Sequence, residues 1–235
     1  MSHYDIETRQ LLAKMDAKYL LESHTFDLAD HQIEMKVVAD TDTLLDELIA
    51  KGPEDEDVAD ERIPYWADLW HSAIALAHWV FEFPAIHSDS GVLELGCGLG
   101  MSGIAAGLKG AAVVQTDYLP EALQMAELCW RLNLSSLPKT AILDWRNPLI
   151  DFQPDVLLAA DVMYEERNGP PLLQAIKALL PRHGVMLLTE PGRPIGQDFL
   201  AQLPKEGFMV SRSMREVHFK QLKVKVHQAE IRWTH

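Results

Sequence analysis

The stretch Val92-Leu93-Glu94-Leu95-Gly96-Cys97-Gly98-Leu99-Gly100 decides how this chain folds. Its apolar start predicts a short buried strand over residues 91–95. That strand runs directly into glycines at alternate positions, and residues 102–108 then predict a helix. Glycine lets the backbone turn sharply and lets a ligand approach where a Cβ would clash. The first strand–turn–helix of a doubly wound sheet lies at the carboxyl end of the strands, where ligands bind. Next comes Val113-Val114-Gln115-Thr116-Asp117, a second strand that ends in an acid. The acid falls about 20 residues past the first glycine, where it can accept both hydroxyls of a ribose.

Outward from this pair, helix and strand alternate. Helices are expected over 70–81, 120–132 and 172–180, and strands over 140–143, 155–160 and 185–189. Such alternation implies βαβ units and a parallel sheet covered on both faces. The tail differs, with strands at 208–213 and 224–233 separated by a polar connection, an expected antiparallel pair. The fold class is therefore α/β, a doubly wound, mostly parallel sheet with an antiparallel pair at its end. Ahead of it, residues 6–21 have helical spacing, 32–38 alternate as a strand, and Thr41 or Thr43 is placed to cap a helix that stops at Gly52. Residues 53–62, PEDEDVADER, are acidic without periodicity and read as an exposed linker.

Composition narrows the function. The 235 residues are 48% hydrophobic and 24% charged, ordinary for one globular domain with a short extension. No apolar run approaches a membrane span, and the polar start is unlike a signal peptide. The net charge of −14 argues against binding nucleic acid, which needs clustered Lys and Arg. It suits a basic protein partner or a cationic ligand. Cys97 and Cys129 fall in apolar segments and read as reduced core thiols of a cytoplasmic protein. The ten histidines, from His3 to His235, show no pair at ligand spacing beside a carboxylate or Cys cluster, so no metal is expected.

A dinucleotide turn needs a small residue where this chain has Met101. The spacing is instead Glu-x-Gly-x-Gly-x-Gly, which resembles motif I of class I methyltransferases, enzymes that bind S-adenosylmethionine (SAM). Further segments join it: Leu143-Asp144-Trp145, the run Ala159 to Glu165, and Pro64-Tyr65-Trp66-Ala67 with Trp70. Together they resemble methyltransferase family 16, seven-β-strand protein-lysine methyltransferases, with the likeness running from Arg62 to Arg193. Pro191-Gly192-Arg193 points to the branch that holds the electron-transfer-flavoprotein β-subunit lysine methyltransferase and bacterial nicotinamide-N-methyltransferase-like proteins. That branch has Asp where this chain has Glu190.

The resemblance implies a seven-stranded Rossmann-like sheet. Residues 1–61 would be an extension and 62–235 the SAM-dependent domain. It implies that Glu94, Gly96 and Gly98 line the SAM site, Asp117 and Tyr118 flank the ribose, Asp144 and Trp145 lie by the adenine, and Trp70 lies by the methionine end. Asp161 and Tyr164 occupy the family's D-x-x-Y positions. They are the candidate catalytic residues, with Asp161 also near the cofactor. Tyr65, Trp66, Tyr164, Glu190 and Arg193 are the candidate substrate contacts. The product would be S-adenosylhomocysteine (SAH) and the partner a monomeric enzyme's protein substrate presenting a lysine.

Lysine's free pKa of about 10.4 leaves roughly one side chain in a few thousand neutral at pH 7. A dry aromatic mouth of Tyr65, Trp66, Trp70 and Tyr164 would lower that pKa by desolvation, as would the neighbouring sulfonium charge, and its ring faces would contact the incoming cation. Asp161 would then orient the amine. Two other readings stay open: a small-molecule N-methyltransferase on the same fold, and a SAM-fold protein without activity.

Overall fold

The computed structural model describes residues 5–234. Helix α1, Ile6–Lys18, opens where the Asp5 carboxylate accepts the Thr8 N–H. It ends three residues short of expectation because Tyr19 turns extended and Leu21–Leu28 forms a strand, β1. β1 pairs antiparallel with β2, His31–Val38, across the turn at Ala29 and Asp30. Ala29 sits at φ 51°, a left-handed conformation without the Gly or Asn that normally announces such a turn. Helix α2, Thr41–Ala50, is capped by Asp40 rather than by Thr41 or Thr43, with the Asp40 carboxylate accepting the Thr43 N–H at 3.1 Å. The acidic run is not all linker: Glu56–Ala59 forms a short helix, α3.

The large sheet has seven strands in the order β5-β4-β3-β6-β7-β9-β8. Its strands are β3 (Gly91–Leu95), β4 (Ala112–Asp117), β5 (Thr140–Ile142), β6 (Val156–Ala160), β7 (Val185–Glu190), β8 (Phe208–Phe219) and β9 (Leu222–Trp233). All pairings from β5 to β7 are parallel, and β9 runs antiparallel to both neighbours. The terminal strands are longer than expected because Lys220 and Gln221, at φ 47° and 60°, make a tight turn with no glycine to mark it.

Helices α4 (His71–Glu82), α5 (Met101–Leu108) and α6 (Pro120–Asn133) pack with α1 and the β1–β2 hairpin in one apolar cluster. A second cluster joins the sheet to α7, Gly169–Leu179, and α8, Pro194–Gln202. Helix α8 was not apparent in the sequence because Gly196 interrupts its periodicity. A Cβ at Gly196 would stand 2.8 Å from the Glu190 carboxylate, so the glycine makes room for that side chain. Among the described residues no helix is long and apolar enough to cross a membrane.

Candidate active site

The carboxyl ends of β3, β4, β5 and β6 open into one cavity of about 430 Å³, a size typical of small-molecule sites. The glycine turn forms its floor. Gly96 and Gly100 have φ of 62° and 78°, the left-handed region that other residues adopt with strain. A Cβ on Gly96 would meet the Trp145 ring at 3.0 Å, and one on Gly100 would meet the Gln115 amide at 2.1 Å.

Asp117 ends β4 beside this floor. One carboxylate oxygen accepts the Gly98 N–H at 3.0 Å and the other the Leu119 N–H at 3.1 Å. An ionised carboxylate has about four acceptor positions, so these backbone donors leave room for a ligand hydroxyl. Burial pushes the Asp117 pKa up, against the pull of these N–H groups. Glu94 lies beneath the turn and is 3% exposed. Its carboxylate accepts the Gly103 N–H at 3.1 Å and the Gln115 amide at 2.9 Å. No cation answers it, and burial pushes its pKa to about 7.

The aromatic mouth comes from the segment before α4 and the loop after β6. The Tyr65 and Tyr164 ring centroids lie 4.9 Å apart, and Trp70 donates its indole N–H to the Tyr65 carbonyl at 2.9 Å. Trp66 faces Tyr19 edge-on at 5.7 Å, and its backbone lies against Gly98. Burial, with the Asp117 and Glu165 carboxylates nearby, raises the Tyr164 phenol to about 12.

Asp161 follows β6 at φ 58°, left-handed for a non-glycine residue. Backbone strain of this kind costs on the order of 1–3 kcal/mol and persists where surroundings over-determine it. Here the Asp161 N–H donates to the Thr189 carbonyl, the Ser72 hydroxyl donates to its carboxylate at 3.2 Å, and the Arg193 guanidinium pairs with it. Both Asp161 oxygens are thus held in place, one by Ser72 and the other by Arg193. Ser72, hidden in an apolar helix segment, was not singled out by sequence.

Every expected site residue lines this cavity except Glu190. Expected at the substrate, Glu190 is 1% exposed and turns inward. Its carboxylate accepts the N–H groups of Gly192 and Arg193 at 2.7 and 3.0 Å and pairs with the Gln197 amide, so it fixes the start of α8. Cys97 also departs from expectation: it is half-buried in the cavity wall, while Cys129 is a buried core thiol. Tyr118 lines the cavity with guanidinium groups near its ring, Arg62 at 5.1 Å and Arg146 at 4.9 Å. Asp144 is gripped by Arg146, whose Nε donates to both its oxygens at 2.8–2.9 Å. Asp60, Arg62, Arg146 and Arg167, all in the lining, were not anticipated. The cavity also has Asp60 and Glu61 in its wall, on the far side of a boundary drawn at 61/62. Among the described residues no group of His, Cys, Asp and Glu could hold a metal ion; His3 and His235 lie outside them.

Comparison with known proteins places this geometry. The electron transfer flavoprotein beta subunit lysine methyltransferase of Danio rerio is 34% identical over 141 residues, covering 57% of this chain and 53% of that protein. The protein N-lysine methyltransferase METTL21A of Xenopus tropicalis is 36% identical over 129 residues, 52% of this chain and 59% of its own length. The chain thus spans little more than half the length of these curated relatives. In fold it is similar to the magnesium protoporphyrin IX methyltransferase of Synechocystis PCC 6803 solved with bound SAM, with a TM-score of 0.56 at 15% identity over 83% of this chain and 98% of that one. The lysine methyltransferase family matches residues 60–206, well over half of the sequence, and the chain belongs to that family.

Proposed function

We propose that this protein is a SAM-dependent N-methyltransferase that methylates a lysine side chain of a protein substrate. The observation that carries the reading is one cavity with the glycine turn and Asp117 at one end and Asp161 within the aromatic mouth at the other. The two free cysteines suit a reducing cytoplasmic setting, and the reading takes the enzyme as a monomer.

Glu94, Gly96, Gly98 and Asp117 would hold the cofactor, with Asp144 and Trp145 at its adenine end and Trp70 at its methionine end. Bound there, SAM supplies an electrophilic methyl group on a sulfonium. The protein's own task is to present a neutral amine in line and keep water away. Tyr65, Trp70 and Tyr164 offer ring faces to the incoming ammonium. The Arg193 guanidinium pairs with Asp161 and offsets its charge, so the carboxylate holds an incoming ammonium less tightly than a free one would. Tyr164, raised to about 12, holds its own proton near neutral pH and cannot accept another. The amine proton leaves to bulk water before the nitrogen enters the dry mouth, and Asp161, held in place by the Ser72 hydroxyl, orients the neutral nitrogen.

The test is incubation of the purified protein with SAM labelled on its methyl group and a host lysate. Label in a protein band, on lysine after hydrolysis, is the expected result. Label only in the small-molecule fraction would overturn the protein-substrate reading and favour a metabolite acceptor.

A further inference from the structure

The acidic segment that reads as solvated linker is tied across the mouth of the cavity. The Asp60 carboxylate accepts the Arg146 Nη1–H at 2.9 Å and the Tyr118 hydroxyl at 2.6 Å. The next residue, Glu61, pairs its carboxylate with Arg167 at 3.2 Å, and its carbonyl accepts from the same guanidinium at 3.3 Å. Glu61 holds φ 49° as the left-handed residue that closes α3, its N–H donating to the Val58 carbonyl at 3.0 Å and the Arg62 N–H to the Asp57 carbonyl at 2.8 Å, so the end of that helix aims the segment at the cavity. Arg62 locks the segment from behind, donating to Asp57 at 2.6 Å, Glu56 at 2.7 Å and Tyr118 at 3.0 Å.

The two anchors lie on opposite lips. Arg146 leaves the sheet after β5 and Arg167 after β6, with β4 and β3 between them. Three strand spacings of about 4.8 Å put the ends of β5 and β6 roughly 14 Å apart. Between them lie the glycine turn after β3 and Asp117 at the end of β4, the two features assigned to the cofactor. Hydrogen bonds to Arg146, Tyr118 and Arg62 hold the Asp60 pKa down at about 2, against the cost of burial, so it stays charged at working pH. Packing of apolar side chains would make a permanent wall. Ion pairs that remain partly exposed make a fastening that opens.

We infer that residues 60–62 form a strap over the cofactor seat, with Asp60 and Glu61 as positioning residues that set how fast the cofactor and its product leave. The inference rests on the reading of this cavity as a SAM site. It follows that cutting the strap changes release more than the chemistry at the other end of the cavity, and that salt loosens the strap by screening its ion pairs.

The test is stopped-flow release of SAH from the full chain, read by the fluorescence of Trp66, Trp70 and Trp145 in the cavity wall. The wild type is compared with the double variant Asp60→Asn/Glu61→Gln and with Arg167→Ala. The double variant is expected to release SAH about fivefold faster or more at low salt, the scale for losing two partly exposed pairs. High salt accelerates the wild type and leaves the double variant nearly unchanged. Arg167→Ala, which cuts one anchor and leaves the segment intact, gives an intermediate rate and decides the matter if the double variant does not fold. Firm SAH binding with equal rates and equal salt dependence in all three proteins overturns the strap alone. Failure of the wild type to bind SAH overturns the cofactor reading and the strap with it.

Discussion

Glu94→Gln is expected to stabilise the protein in alkaline solution and to do little or the reverse in mild acid. The carboxyl is buried beneath the glycine turn with donors from Gly103 and Gln115 but no cation beside it, and its pKa rises from 4.5 to about 7. A tenfold change in proton affinity is worth about 1.4 kcal/mol, so ionisation of this carboxyl opposes folding by roughly 3 kcal/mol when complete. The sign follows from proton uptake. Between pH 4.5 and 7 the folded protein holds this proton more tightly than the unfolded chain, so stability falls as pH rises through that window. Below the window the penalty is absent, and above it the penalty is fully present. Glutamine keeps an acceptor for the Gly103 N–H and carries no charge. Its imperfect fit against Gln115 takes back part of the gain, leaving about 1–2 kcal/mol at pH 8. For a chain of this size, each kcal/mol moves Tm by roughly 2–4 °C. Thermal melts of both proteins without ligand from pH 5 to pH 8 supply the measurement. The wild-type Tm should fall relative to the variant across that range and the curves should cross or converge at the acidic end. Parallel curves would show that Glu94 does not titrate with folding and would refute the reasoning.

The same site yields further expectations. Asp161→Ala should leave SAH affinity within a few-fold while abolishing turnover, because Asp161 serves the acceptor end of the cavity; matched losses in calorimetry and in turnover would end that division of labour. Tyr164→Phe should lower kcat without moving the pH–rate profile between pH 6 and 9, since the phenol ionises only near 12; a displaced profile would assign it a proton-transfer role.

The glycine turn and Asp117 were legible in sequence because the information is local. A strand, three small residues and an acid at fixed spacing can be read without knowing what packs on them. Turns at Ala29 and at Lys220-Gln221 were not legible, because tertiary pairing holds these residues left-handed where propensity would have asked for glycine or asparagine. The strap was invisible for a different reason. Asp60 and Glu61 look like any solvated acid until Arg146 and Arg167, 86 and 106 residues away, are brought to opposite lips of one cavity. Glu190 misled because its type and motif position suited a ligand contact, whereas Gly196 six residues later gives its carboxylate space to turn under the chain. Asp161 was found by motif, but its confinement by Ser72 and Arg193 depends on α4 and the loop after β7 arriving together.

Calorimetric titration of SAH into the wild type and into Asp117→Ala probes most directly whether the cleft above the glycine turn seats an adenosine. One molecule should bind per chain in the wild type, and the variant should lose about 1–3 kcal/mol of binding, the usual scale for a hydrogen-bonded charged group. Absence of wild-type binding, or equal affinity in the two proteins, would contradict the assignment of that cleft.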